Sequence, residues 1–360
     1  MEHVTRRDTL PVRIGRVTIG GTHPIAVQSM TTTLTEDVPG TMAQIRRLVD
    51  AGCEIVRVAV PHPKALRALP ALVAESPVPL VADIHFRVDL ALGALEAGVA
   101  KVRINPGNLA PDEFLRVLDA AGARGTPIRI GVNSGSVPID LVESFGGPTP
   151  EALVEAAARY VAIAERRGFT LIVLSLKSSD TLCNLRAYRR AADRFRYPLH
   201  IGVTEAGDAD YGRIKSAAGL GGLLLDGIGD TIRISLVGDP VNEIEAAYTL
   251  LKATGRRMLT PEIVACPTCA RRGIDVEKLV QEVKAALGNL RAPLKIAICG
   301  CIVNGPGEAR EADIGIAGGG GQGVLFRHGT TVRKVPEDKL VEALIAEAHA
   351  MADEMGPARE

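Results

Sequence analysis

The chain of 360 residues has no tryptophan, and its five tyrosines and six phenylalanines bring aromatics to only 3%. Successive bases of a single strand are held by stacking on aromatic rings, and that platform is missing here. Net charge is also missing. The 42 basic residues are balanced by 42 acidic ones, so there is no basic footprint for a polynucleotide. No uninterrupted apolar stretch reaches the length of a membrane span, and the opening MEHVTRRDTLPVRIG contains no apolar signal core. The expectation is a cytoplasmic protein with neither a nucleic acid nor a membrane as partner. Cysteine is sparse too. Six in the whole chain, three of them close together, fit a reducing compartment better than a disulfide framework.

Those three cysteines carry the most information. CPTC at 266–269 and GCIVNGPGE at 300–308 bring Cys266, Cys269 and Cys301 together with the carboxylate of Glu308, in loops punctuated by proline and glycine. Structural zinc usually takes a fourth cysteine or a histidine. Three thiolates and one exchangeable oxygen suit an iron–sulfur cluster that leaves one iron open for chemistry. A zinc ribbon would need a second CxxC, which the sequence does not supply, and redox or merely buried cysteines are the remaining alternatives. Cys53, Cys183 and Cys299 are read as packing residues, with the Cys299 side chain expected to alternate away from that of Cys301.

From residue 24 to about 255 one pattern recurs: a short Val- and Ile-rich run ending in polar residues, then an amphipathic segment rich in Ala and Leu. Eight runs fit it, at 25–30, 54–60, 79–86, 101–107, 128–135, 171–179, 199–207 and 232–240. Eight βα units predict a (β/α)8 TIM-like barrel over 1–257, with an open doubly wound sheet as the alternative. Residues 258–360 then predict a small α+β domain carrying the cysteines. It has a helix near 275–287, strands at 295–299 and 313–318, a β-like stretch VLFRHGTTVRKV and a final helix near 337–354. Within it GGGGQG at 318–323 matches a dinucleotide fingerprint in letters only, because a strand and not a helix is expected after it.

In such a barrel the chemistry sits where strands end and βα loops begin. The polar residues at those places are Arg57, Asp83, His85, Arg103, Asn105, Arg129, Asn133, Lys177, Glu205, Arg233 and Ser235. A single arginine on a strand is often only a salt-bridge partner. Five cations cannot all be neutralised by Asp83 and Glu205, however, so an anionic ligand is the economical explanation. Guanidinium groups match phosphate oxygens, which points to a small phosphorylated or diphosphorylated molecule. Glu205, an acid among cations in a TEAG turn, is a candidate for proton transfer or else only orients Lys177 or Arg233. His85 is equally readable as a structural histidine.

The segments PIAVQSMT, VADIHF, RINPGN, IRIGVNSGS, TEAG, GIGDT, ACPTC and GCIVNGPGE together resemble the bacterial 4-hydroxy-3-methylbut-2-enyl diphosphate synthase family over most of the chain. The resemblance implies a 4Fe-4S cluster on Cys266, Cys269, Cys301 and Glu308, and a barrel similar to that of dihydropteroate synthase. It further implies a two-electron reductive opening of a cyclic diphosphate in isoprenoid biosynthesis. Arg57, His85, Arg103, Asn105, Arg129, Asn133, Lys177, Arg233 and Ser235 would bind that substrate, and Glu205 would donate or relay a proton. Flavodoxin or ferredoxin as electron donor, and a homodimer whose active site is shared between subunits, follow from the same resemblance. Two other readings compete with it: a non-redox phosphate-binding lyase or transferase with a structural zinc domain, and an iron–sulfur redox sensor.

Overall fold

The computed structural model describes residues 5–105, 109–270, 272–301, 309–319 and 321–355. Its contacts divide the chain into two compact units, separated between Thr254 and Gly255. Among the described residues no helix is long and apolar enough to cross a membrane.

The first unit opens with a hairpin of β1 (Val12–Ile14) and β2 (Val17–Ile19). Eight parallel strands follow: β3 (Ala26–Met30), β4 (Ile55–Ala59), β5 (Leu80–Ile84), β6 (Lys101–Ile104), β7 (Ile128–Asn133), β8 (Ile172–Lys177), β9 (His200–Ile201) and β10 (Thr231–Ile232). They pair in the order β8-β7-β6-β5-β4-β3-β10-β9, and a parallel bridge between Leu174 and Leu199 closes β8 onto β9. The fold is therefore the barrel expected from the eight runs, with the last two strands cut to two residues each. Helices α1 (Val38–Asp50), α2 (Pro63–Glu75), α3 (Val88–Glu96), α4 (Pro111–Arg124), α5 (Ile139–Phe145), α6 (Pro150–Arg166), α7 (Thr181–Arg194), α8 (Ala209–Leu225) and α9 (Val241–Ala253) occupy the connections. Asp37, Thr149, Asp180 and Asp208 accept hydrogen bonds from the otherwise unpaired first-turn N–H groups of α1, α6, α7 and α8.

Period-two alternation splits each strand between two environments. On β7, Ile128, Ile130 and Val132 join the large apolar core beneath the helices, which leaves Arg129, Gly131 and Asn133 on the other face, toward the barrel axis. Val12, Ile14 and Ile19 of the hairpin, all buried, pack against Ala26, Ile55, Val81 and Val173 at the strand starts. An apolar plug thus fills the N-terminal end of the barrel, and the polar side chains are left to its middle and C-terminal end. The hairpin went unread in the sequence, although VRIGRVTI alternates in the required way.

The second unit is a five-stranded mixed sheet. β11 (Glu262–Ala265), β12 (Lys295–Cys299) and β13 (Ile314–Gly319) run parallel, and β14 (Gln322–Arg327) and β15 (Thr330–Pro336) continue antiparallel. α10 (Val276–Leu287) and α11 (Leu340–Met355) share an apolar core with Ile296, Ile298, Ile314, Ile316 and Leu325. The strands alternate, so Cys299, Ala317 and Phe326 form a separate small cluster. Gly318 and Gly319 pair opposite Gly323 and Gln322 across antiparallel β13 and β14, so a strand and not a helix follows the glycines, with nothing to receive a dinucleotide. β11 was absent from the sequence reading.

Candidate active site

Arg57, Asp83, Arg103, Arg129 and Lys177 lie on β4 to β8 and are all buried, at 9% exposure or less. Asp83 is the hub. Its carboxylate is 3.1 Å from Arg103 Nη1, 3.5 Å from Arg57 Nε and 3.7 Å from His85 Nε2. Arg103 Nη1 also lies 2.8 Å from His85 Nε2, and its Nη2 donates to the Gly131 carbonyl at 3.1 Å. Arg57 donates through Nε and Nη2 to the Met30 sulfur at 3.1 and 2.9 Å. Burial pushes the Asp83 carboxyl up, but Arg57, the His85 hydrogen bond, Arg103 and Arg129 outweigh it and hold the group well below the usual carboxylate range. Burial draws the Arg57 guanidinium down to about 10 against the pull of Asp83. Burial first, then neighbouring cations, push Arg129 and Lys177 well below their own ordinary ranges.

Two glycines create the room for these side chains. A Cβ at Gly131 would come within 2.6 Å of Arg103 Nε, and one at Gly202 within 2.5 Å of Lys177 Nζ. Any other residue at either place would displace a cation.

Arg233, one residue beyond β10, is held in bidentate fashion by Glu243 of α9, at 3.2 Å from Nε and 3.0 Å from Nη2. Glu243 is 2% exposed, and it also accepts from Ser29 Oγ at 2.8 Å and from the Leu236 N–H at 3.1 Å. It is therefore the acid that orients Arg233, a role the sequence reading considered for Glu205. Spacing could have revealed it: Glu243 stands four residues before Ala247 and eight before Leu251, on the buried stripe of α9. Ser235 is half-buried in the segment after β10. Among the described residues no ion pair joins Arg129 or Lys177 to an acid, so the charge surplus inferred from sequence persists in the fold.

His85, Phe86, Asn105, Asn133 and Glu205 line one cavity of about 630 Å³ at the barrel mouth. Asn105 donates to Ser136 Oγ at 2.9 Å, and Ser136 donates in turn to the Asn133 carbonyl at 3.1 Å. Glu205 is exposed, and its backbone takes φ +52°, a left-handed conformation that costs a non-glycine residue about 1–2 kcal/mol. Such strain is concentrated at functional sites. Thr268, inside CPTC, has φ +66°.

In the second unit Cys266 follows β11 directly, with its N–H bonded to the Ile298 carbonyl at 3.0 Å, and Cys301 follows the adjacent β12 by two residues. Both line a cavity of about 150 Å³ together with Pro267, Ala297 and Cys299. Cys269, three residues along the same loop, is exposed. Cys299 was expected to turn away from Cys301. It borders the same cavity, because residues two apart on a strand share a face. Glu308 lies outside the described residues. Among those residues no three metal-binding side chains converge within bonding reach. The donor set nonetheless fits a thiolate-bound iron centre: two thiols at the ends of neighbouring strands border one cavity, and a third follows on the same short loop.

Residues 9–248 match the family model described as GcpE TIM-barrel domain, and residues 262–350 match GcpE protein C-terminal domain. The chain is 51% identical over 354 residues to a 4-hydroxy-3-methylbut-2-en-1-yl diphosphate synthase (flavodoxin) of Geobacillus thermodenitrificans, covering 98% of this chain and 95% of that one. It is 49% identical over 360 residues to the Bacillus cereus protein of the same name, covering 100% and 97%. Among solved structures, dihydropteroate synthase from Stenotrophomonas maltophilia aligns with a TM-score of 0.51 at 16% identity, over 68% of this chain and 98% of that one, a likeness of fold alone.

Proposed function

The chain belongs to the GcpE family, and from that premise we propose that it is an iron–sulfur oxidoreductase acting on a cyclic diphosphate. The reaction is the two-electron reductive opening of 2-C-methyl-D-erythritol 2,4-cyclodiphosphate to (E)-4-hydroxy-3-methylbut-2-enyl diphosphate, with loss of water. The observation that carries this reading is the barrel interior, where buried Arg129 and Lys177 have no acid paired to them among the described residues. Buried charge without a partner is costly, and a dianionic ligand removes the cost.

In this reading Arg57, Arg103, Arg129, Lys177 and Arg233 hold the diphosphate, with Ser235, Asn105, Asn133 and His85 completing its hydrogen bonds. Asp83 and Glu243 fix the geometry of Arg103 and Arg233 before the substrate arrives, so little reorganisation is needed on binding. Glu205, at the cavity wall, delivers a proton to the departing hydroxyl. When bound, a 4Fe-4S cluster on Cys266, Cys269, Cys301 and Glu308 supplies the electrons and a Lewis-acidic iron. Flavodoxin, which the relatives' own names carry, is the electron donor in this proposal.

An oxygen-free preparation tests the reading. Iron, acid-labile sulfide, and conversion of the cyclic diphosphate by the reduced protein are expected. Stoichiometric zinc without sulfide points instead to a phosphate-binding lyase or transferase, and a cluster without turnover points to a sensor. Glu308→Ala should leave the protein folded and slow turnover severely, and wild-type rates in that variant contradict an open iron. The active form is taken to be a homodimer that shares residues between subunits. Mixing inactive Arg129→Met chains with inactive Cys301→Ala chains should then restore about a quarter of wild-type activity, because half the dimers are mixed and each has one intact site. No recovery contradicts sharing.

A further inference from the structure

The interior of the barrel has a lower polar tier that the reaction as drawn does not use. Lys101, at the start of β6, is fully buried, and among the described residues its Nζ has no hydrogen-bond partner. Alternation puts it on the same face of β6 as Arg103, whose guanidinium lies inside the barrel against Asp83 and the Gly131 carbonyl. Gln28 on β3, buried at 1%, has neither amide atom paired among the described residues. His200 on β9 is fully buried, with Nδ1 2.7 Å from Thr231 Oγ1 and Nε2 unpaired among those residues. Arg129 Nε and Nη1 also have no partner among them. Natural folds leave only a few such atoms unsatisfied, and each buried orphan costs about 1–3 kcal/mol.

The charges around this tier are almost all of one sign. Arg57 faces it from β4, Arg129 from β7 and Lys177 from β8. The acids are Asp83 on β5, already shared between Arg57 and Arg103, and Glu243 on α9, spent on Arg233. Tyr188 of α7 gives its hydroxyl proton to the His200 carbonyl at 2.7 Å. The floor is the apolar plug of Val12, Ile14 and Ile19. Burial first, then Arg129 and Arg57, push the Lys101 amine well below the usual lysine range. Burial first, then Arg129, Lys177 and Lys101, do the same to His200.

We propose that Lys101 is a further binding residue for the anionic substrate, taking up a proton from solvent as a diphosphate is seated against Arg103 and Arg129, so that substrate binding and proton uptake are linked. This rests on the cyclic-diphosphate reading above. Two negative charges arriving above the tier weaken the positive field at the amine and favour its ammonium form. Because the bound state holds the extra proton, affinity weakens as pH rises. His200 stays neutral and serves as a neighbour only.

The test is calorimetric titration of the oxygen-free holoenzyme with 2-C-methyl-D-erythritol 2,4-cyclodiphosphate at about pH 8, in buffers of low and high ionisation enthalpy. Every P–OH group of that ligand is strongly acidic, so it exchanges no protons of its own. Wild-type protein should take up between about half a proton and one proton per ligand bound. Lys101→Met should cut the uptake to what Lys177 alone contributes, since that amine is also held well below its ordinary range, and weaken binding about tenfold, without lowering the thermal midpoint, because an unpaired buried amine is replaced by an apolar chain of similar shape. His200→Gln should keep the uptake. Uptake unchanged in Lys101→Met, or lost only in His200→Gln, overturns the proposal. Tight wild-type binding with buffer-independent heat contradicts this proposal alone, whereas absence of binding contradicts the substrate reading and the proposal with it.

Discussion

In the barrel unit Arg103 is gripped from three sides, by Asp83, His85 and the Gly131 carbonyl, and Arg233 is clamped by Glu243. In the C-terminal unit the thiols of Cys266 and Cys301 are half-buried and that of Cys269 is exposed, all on connections that follow strands. The barrel therefore fixes Arg103 and Arg233 through the protein's own carboxylates and a carbonyl, whereas under the proposed function the thiols would take their final geometry from the metal they hold. The first arrangement suits an anion that comes and goes at every turnover. The second suits a resident inorganic centre, whose binding energy doubles as local folding energy.

If the two units divide the work in this way, their variants should fail differently. Cys301→Ala should lower turnover more than about a thousandfold through loss of the iron centre, with cyclic-diphosphate affinity changed less than about threefold, as checked by steady-state rates and calorimetry. Equal loss of both would break the division. Arg129→Met should do the converse, weakening ligand binding about a hundredfold while iron and sulfide content stay unchanged. Asp83→Ala removes the acid shared by Arg57 and Arg103 and should cost about 3–5 kcal/mol of stability at neutral pH, read by denaturant unfolding of the barrel.

The smallest effect is a pH slope. His200 is held below the ordinary histidine range, so the unfolded chain takes up a proton before the native one does, and stability falls as pH drops below about 6.5. Asp83 acts lower. Its folded value is depressed, so its contribution is complete above the usual carboxylate range and is lost progressively as pH falls from that range through the depressed value. His200→Gln should flatten the slope near pH 6 and leave the acid limb in place, which thermal midpoints across pH will show.

Much of this was legible in the chain because it repeats. Eight Val- and Ile-rich runs gave the barrel, and polar residues at their ends gave nearly all of the buried cations, since period two and the strand-end rule act on each run separately. What escaped depends on contacts between distant segments. Glu243 lies on a helix ten residues past Arg233, and only the packing of α9 shows that it faces inward. Lys101 opens its strand, where a lysine ordinarily reads as a solvated end, and only the fold shows that it is buried inside the barrel. Cys299 was misjudged by one step of alternation.

The most direct measurement is an electron count. Under strict anaerobiosis, holoenzyme and excess cyclic diphosphate are supplied with known amounts of fully reduced flavodoxin, and the product is quantified. The account predicts one (E)-4-hydroxy-3-methylbut-2-enyl diphosphate for every two electrons delivered and none without them. Product that forms independently of the electrons, or electrons accepted with the cyclic diphosphate left intact, would contradict it.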